Sequence, residues 1–188
     1  MVTAQLELPV GLLNCSMQLI KIRHAGLQDA AIVADISRKT FYDSFAQFNT
    51  PENMEKYIRK EFSSKRLRGE LASNENIFLL AYSNDQLEGY AKLSESFQPS
   101  EFSGEPSLEI CRIYSKVNMI GKGIGKSLME EILRIAMDKG KKIIWLGVWE
   151  HNPWAISFYS KWGFQKFSEH PFILGDEVQT DWLMKKNI

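Results

Sequence analysis

The feature that most constrains the fold is a strand running into a glycine-rich turn and then a helix. It comprises Leu108-Glu109-Ile110-Cys111-Arg112-Ile113-Tyr114, a short linker, and Ile120-Gly121-Lys122-Gly123-Ile124-Gly125-Lys126-Ser127-Leu128. Glycines let backbone approach an anion without Cβ clashes, and the unpaired N–H groups and dipole at a helix start favour negative charge. Lys122 and Lys126 add charge at the same place. Behind the turn, Ile124, Leu128, Ile132, Ile135 and Ala136 recur at helical spacing up to Gly140, which suits a C-cap. The segment reads as a site for a phosphate-bearing ligand. Spacing narrows the choice. A Walker A loop needs glycine at position 120, which is Ile120, and the dinucleotide fingerprint needs glycine at Lys126 or Leu128.

The rest of the chain organises around this unit. Residues 18–23 alternate in part and suggest a first strand, followed by His24-Ala25-Gly26 as a turn. Ala30, Val33, Ala34, Ser37, Phe41 and Phe45 then fall at helical spacing. Thr50-Pro51 opens a second helix with Met54, Tyr57, Ile58 and Phe62 as its buried stripe. Residues 63–75 read as helix then loop. Ile77 to Tyr82 and Leu87 to Leu93 form a hairpin across Asn84-Asp85, with Gly89 at a bulge. Lys142 to Trp149 is a strand, Pro153 to Lys161 a short helix ended by Gly163, and Phe164 to Phe167 and Thr180 to Met184 closing strands. The order predicts one α/β (α+β) domain with a mixed sheet and helices against its faces.

Composition bounds the partners. The 188 residues carry 23 basic and 23 acidic side chains, so no overall charge draws the protein to nucleic acid or anionic membrane. No apolar run approaches the roughly 18 residues of a membrane span. Cys15 and Cys111 allow at most one disulfide, and with no CxxC they point to a reducing, cytoplasmic setting. His24, His151 and His170 lack metal-ligand spacing, so no metal is assigned. Residues 1–16 lack the basic start of an export signal and are read as a flexible extension preceding a domain at 17–188.

Two motifs together carry a resemblance. Ile120 to Gly125 resembles the pyrophosphate loop of the GNAT acetyltransferase superfamily, Gln or Arg, two residues, Gly, one residue, Gly or Ala, through Gly123 and Gly125, with Ile120 a departure at the first position. Downstream, Asn152, Ala155, Phe158-Tyr159 and Gly163-Phe164 are similar to the closing motif of the same superfamily. The order of elements extends the resemblance over residues 17–186. Thr50-Pro51-Glu52-Asn53-Met54, Ile144 to Glu150 and Gly175 to Asp181 are further similar to the PaiA-type branch, which acetylates spermidine, spermine and related polyamines.

The resemblance implies a mostly antiparallel sheet with a splayed cleft for acetyl-CoA, used as cosubstrate. The strand containing Arg112 to Tyr114 would diverge from that containing Gly147 to Trp149. Ile113, Tyr114, Ser115 and Val148 would contact the pantetheine arm, joined by Asn152 and Ala155. Gly121, Lys122, Gly123, Ile124, Gly125, Lys126 and Ser127 would hold the pyrophosphate, more weakly for lack of a side-chain donor at Ile120.

It also implies transfer by direct attack of a primary amine, with Tyr159 lying beside the cofactor as general acid. A phenol near pKa 10 and a thiol near 8.5 are matched closely enough for that exchange. The acceptor amine must lose a proton, and Glu109 on the strand beside the cleft is the candidate base, acting through water, with Glu150 as an alternative. Glu150, together with Glu109, Asp176, Glu177 and Asp181, is also a candidate for attracting a polyamine. The alternatives are another acceptor (a peptide, an amino acid or an aminoglycoside) or a non-catalytic acyl-CoA-binding regulator. A homodimer fits an open sheet edge.

Overall fold

The structure, a computed structural model, describes residues 19–188. The expected extension at 1–16 and the first residues of the assigned domain lie outside the described residues. Seven strands form one sheet in the order β1-β2-β3-β4-β5-β7-β6. They are β1 (Ile20–His24), β2 (Asn76–Ser83), β3 (Gln86–Ser94), β4 (Ser107–Ser115), β5 (Ile143–Trp149), β6 (Gln165–Leu174) and β7 (Glu177–Asn187). Every neighbouring pair is antiparallel except β4 with β5.

Strand alternation sorts side chains to two layers. Phe78 and Leu80 of β2, with Tyr90 of β3, face one layer made by α1 (Ala30–Phe45), α2 (Pro51–Glu61) and α3 (Ser64–Ala72). Leu79 and Ala81, with Ala91 and Leu93, face the other, where α4 (Ile124–Asp138) lies across the sheet and α5 (Pro153–Lys161) packs beside it. Local signals set the helix ends. The Thr50 hydroxyl accepts the Asn53 N–H at 3.3 Å ahead of Pro51. At the end of α4, Gly140 adopts φ +65°, and the Gly140 and Lys141 N–H groups reach the carbonyls of Met137 and Ala136.

The closing strands are longer than the sequence predicts. β6 and β7 form a long hairpin turning at Gly175-Asp176, and residues 168–179, which lie between the two strands expected from the sequence, are largely strand. β6 is the sheet edge, so Pro171 is tolerated there, and polar residues on both its faces hide the usual alternation. Near Gly89 the β2–β3 register shifts as expected. A Cβ at Gly89 would lie 2.5 Å from Ile124 Cγ2 and 2.7 Å from the Tyr114 carbonyl oxygen, which binds the start of α4 close to the sheet. Since the carbonyl cannot move independently of β4, Gly89→Ala should destabilise the fold by about 1–3 kcal/mol, the usual cost of overpacking, as read from urea unfolding midpoints.

Candidate active site

The site begins where two strands part. β4 and β5 pair only over Ser107–Ile110 and Ile143–Leu146. The next residue of β4, Cys111, is the extra residue of a register shift against β3, where Lys92 faces Arg112 and Leu93 faces Ile110. Such a bulge bends and twists its strand. Beyond it β4 remains joined only to β3 and β5 only to β7, so the facing edges of Cys111–Ser115 and Gly147–Trp149 have no strand between them.

A cavity of about 620 Å³ fills the gap. On the α4–α5 side it is walled by the glycine turn, Met119, Ala155, Phe158 and Tyr159. Gly121 and Gly123 have φ of +78° and +93°, and nothing lies within 4 Å of a Cβ built at Gly121. The Ser127 N–H is bonded to the Gly123 carbonyl and that of Lys122 to the Met119 carbonyl. Among the described residues, the N–H groups of Ile124, Gly125 and Lys126 have no acceptor in the chain. A pyrophosphate fits that cradle by charge and by donor set. Ile120, exposed at the rim, offers no side-chain donor, and Trp154, 87% exposed, stands at the same mouth.

On the opposite face the wall is aromatic. Phe41, Phe45, Tyr57, Phe62, Trp149 and Phe172 line it. Phe41 stacks on Tyr57 at 4.6 Å between ring centroids, and Trp149 meets Phe45 edge-on at 6.2 Å. Arg112 also reaches this wall. It makes two hydrogen bonds to Glu70 of α3, at 2.8 and 3.2 Å, and Lys92 lies 3.2 Å from the same carboxylate, so its charge is matched within the protein. These two cations hold the Glu70 carboxyl below its ordinary range against the opposing effect of burial. The tip of the β6–β7 hairpin closes the side against α2. Asn53 Oδ1 accepts the Asp176 N–H at 3.0 Å, Gly175 packs against Asn53 where any Cβ would clash, and Gln179 donates to Asn49 at 2.8 Å.

The expected site residues fall into three groups. Ile113, Tyr114, Ser115, Gly121, Gly123, Gly125, Lys126, Val148, Asn152, Ala155 and Tyr159 line the cavity. Lys122, Ile124 and Ser127 belong to the turn without lining it. Ile124 is fully buried and supplies only backbone there. Asn152 uses Oδ1 to accept the Ala155 N–H at 3.1 Å as the α5 cap, which leaves its Nδ2 for a ligand. Glu109 and Glu150 do not line the cavity. Glu109 lies one residue below the last β4–β5 pair, where the strands are still joined, and burial raises its pKa. The sequence reading assigned no site role to the aromatic wall, whose members sit on helical stripes indistinguishable from ordinary core, or to Trp154.

Asp181 is expected from the sequence only as one of five acidic groups on a surface that attracts a polyamine. It is instead a half-buried to buried carboxylate in the cavity wall that accepts no hydrogen bond among the described residues. Burial, with a smaller contribution from nearby Glu150, pushes its pKa up to about 6. Tyr159 has its phenol pushed above 10 by burial alone. This exceeds the value expected from sequence.

A GNAT acetyltransferase family model matches residues 38–164, and the chain belongs to that family. It is an acetyl-CoA-dependent N-acetyltransferase of the family's mixed α/β fold. It is 38% identical to an uncharacterized N-acetyltransferase of the pepI 3′ region of Lactobacillus delbrueckii subsp. lactis, over 89% of this chain and 96% of that protein. It is 26% identical to the spermidine N(1)-acetyltransferase of Thermoplasma acidophilum, over 89% and 96%. The crystal structure of the PaiA N-acetyltransferase of that organism in complex with coenzyme A superposes with a TM-score of 0.74 at 26% identity, covering 90% of this chain and 99% of that one. Among the described residues, no helix is long and apolar enough to cross a membrane.

The raised pKa of Asp181 has a consequence for stability. Because the folded value, about 6, lies above the ordinary 3.8, the protonated form is favoured by folding. Stability present below pH 4 is therefore lost as pH rises through 6. The shift of roughly two units corresponds to up to about 3 kcal/mol. Asp181→Asn should be more stable than the wild-type protein by up to that amount at pH 8, with the difference closing at pH 4, as measured by urea unfolding at both values.

Proposed function

We propose that the protein acetylates a primary amine at one end of a flexible polyamine of the spermidine class. The observation that carries this reading is the acceptor-side wall, where six aromatic side chains line the same cavity as the carboxylate of Asp181, which accepts no hydrogen bond among the described residues. Aromatic faces attract an ammonium and pack against methylene segments, and the carboxylate supplies a counter-charge. The similarity to a protein named spermidine N(1)-acetyltransferase supports the same class. So does the contact between Asn53 and Gly175-Asp176, which joins two of the three segments that resemble the PaiA-type branch.

On the donor side, the Ile124, Gly125 and Lys126 amides would hold the pyrophosphate of coenzyme A. The open edges of Ile113 to Ser115 and of Val148 would take the pantetheine, with the Nδ2 of Asn152 as a further donor. Acetyl-CoA supplies an acetyl group activated as a thioester. The Tyr159 hydroxyl keeps its proton at neutral pH and gives it to the departing sulfur. The apolar neighbours of Tyr159, including Phe158 and Phe164, exclude water from that exchange. Its place in the cavity wall favours an enzyme over a binding protein without turnover.

Tyr159→Phe should lower kcat by about 10²- to 10⁴-fold while the Kd for coenzyme A, from calorimetry, stays within a few-fold of wild type. An unchanged kcat would remove Tyr159 from catalysis. In a thiol-release assay with acetyl-CoA, spermidine and spermine should be turned over in preference to amino acids and short peptides. Turnover confined to amino acids would move the acceptor assignment towards carboxylate-bearing amines held by Arg112.

A further inference from the structure

The acetyl transfer leaves one proton unaccounted for, because a primary amine with a pKa of about 10.4 enters the cavity as an ammonium and must leave as an amide. Glu109 lies outside the cavity wall and would need a water to reach the amine. Asp181 is in the wall itself, on the face of the sheet that carries the aromatic residues. Residues Trp182 and Met184 of the same strand face the α4–α5 layer, and Asp181 alternates away from them.

Three adjacent strands converge at this carboxylate. Asp181 of β7 is directly opposite Trp149 of β5 and His170 of β6. His170 Nε2 lies 4.0 Å from Asp181 Oδ2. The His170 side chain is 45% exposed and that of Asp181 14%, so the pair runs from the cavity outward. Gly147 makes room for it. A Cβ at that position would sit 3.3 Å from Asp181 Oδ2 and 3.4 Å from His170 Nε2, filling the space between the β5 backbone and the pair. A buried carboxylate without a donor is costly unless a ligand supplies one, and the acceptor ammonium is such a donor.

Building on the acetyltransferase reading, we propose that Asp181 is the base that takes the acceptor's proton and that His170 passes it to solvent. In the first transfer an N–H bond of the ammonium breaks and an O–H bond forms at Asp181, leaving a neutral amine and a neutral carboxyl. In the second the O–H bond breaks and the proton passes through one bridging water to His170 Nε2, 4.0 Å away, restoring the carboxylate and creating an imidazolium. The imidazolium then releases its proton to water or buffer, which resets the pair, and the second proton that the nitrogen loses as the amide forms replaces the one Tyr159 gives to the sulfur. The charged and titratable groups around it fit the direction of flow. Glu150, which follows β5, raises the Asp181 carboxyl, and Asp181 in turn acts on Tyr57 of α2. Glu109 of β4 and His170 also lie within electrostatic range of each other.

Two measurements test the proposal. First, Asp181→Asn should lower kcat by about 10²-fold or more and flatten the acidic limb of the kcat–pH profile, with coenzyme A binding retained. His170→Ala should lower kcat about 10-fold and be restored by millimolar imidazole, which should not restore Asp181→Asn. An Asp181→Asn variant that only raises KM for the amine would make the residue an anchor and overturn its role as base. A His170→Ala variant with full activity, or one that imidazole leaves unchanged, would overturn the relay. Second, NMR of the labelled Asp181 carboxyl, which requires no turnover, should show its titration midpoint move upward in His170→Gln. An unmoved midpoint disconnects the pair whatever amine the enzyme accepts. Wild-type turnover confined to amines other than polyamines, with that coupling present, would count against the polyamine reading alone.

Discussion

The structure depends on a parallel pairing that stops early. Four residues of β4 hydrogen-bond to four of β5, and then the bulge at Cys111 bends β4 away. Had the ladder continued, the strand edges at Ile113 and Val148 would satisfy each other and no cleft would exist. The sheet tolerates the break because each strand keeps its outer partner, β3 for β4 and β7 for β5. Both faces of the gap are then packed, by α4 and α5 on one side and α1 and α2 on the other, so an opening through the middle of the sheet is held at fixed width by its own hydrophobic layers.

The two faces do different chemistry because they are built from different residue types. The α4–α5 side offers backbone amides and a phenol, which suit an anionic, thiol-bearing donor. The opposite side offers aromatic rings and one carboxylate, which suit a cation. Arg112, which would oppose a cation there, is neutralised by Glu70, and that pair also anchors α3 to the sheet. The cleft thus separates an electropositive side from an electron-rich one across the thickness of a single sheet.

Much of this was legible from residues alone. The order of elements, the glycine turn, the Thr50 cap and the helix opened by Pro153 that carries Tyr159 all follow from local pattern, because caps, positive-φ glycines and helical stripes are set by neighbours in sequence. The role of Asp181 was not legible. It depends on β7 inserting between β5 and β6, which places Asp181 beside Gly147 and His170, and no local pattern encodes that order. The distance of Glu109 from the cavity wall was not legible either. Glu109 is close to the cleft in sequence, but the strands separate only after the residue that follows it. The aromatic wall was hidden because Phe41 and Tyr57 satisfy a core stripe and a cavity lining with the same spacing.

The contact between Asn53 and the hairpin tip joins segments more than 120 positions apart, and it touches only the acceptor half of the cavity. The glycine turn and α5 are assembled without it. Changes in α2 or in the β6–β7 hairpin can therefore reshape which amine is received while the machinery that handles the acyl donor stays intact. A chain built this way has two separable parts, a backbone grip on one substrate and a refittable mouth for the other, which gives sequence divergence a physical route to new acceptors on the same scaffold.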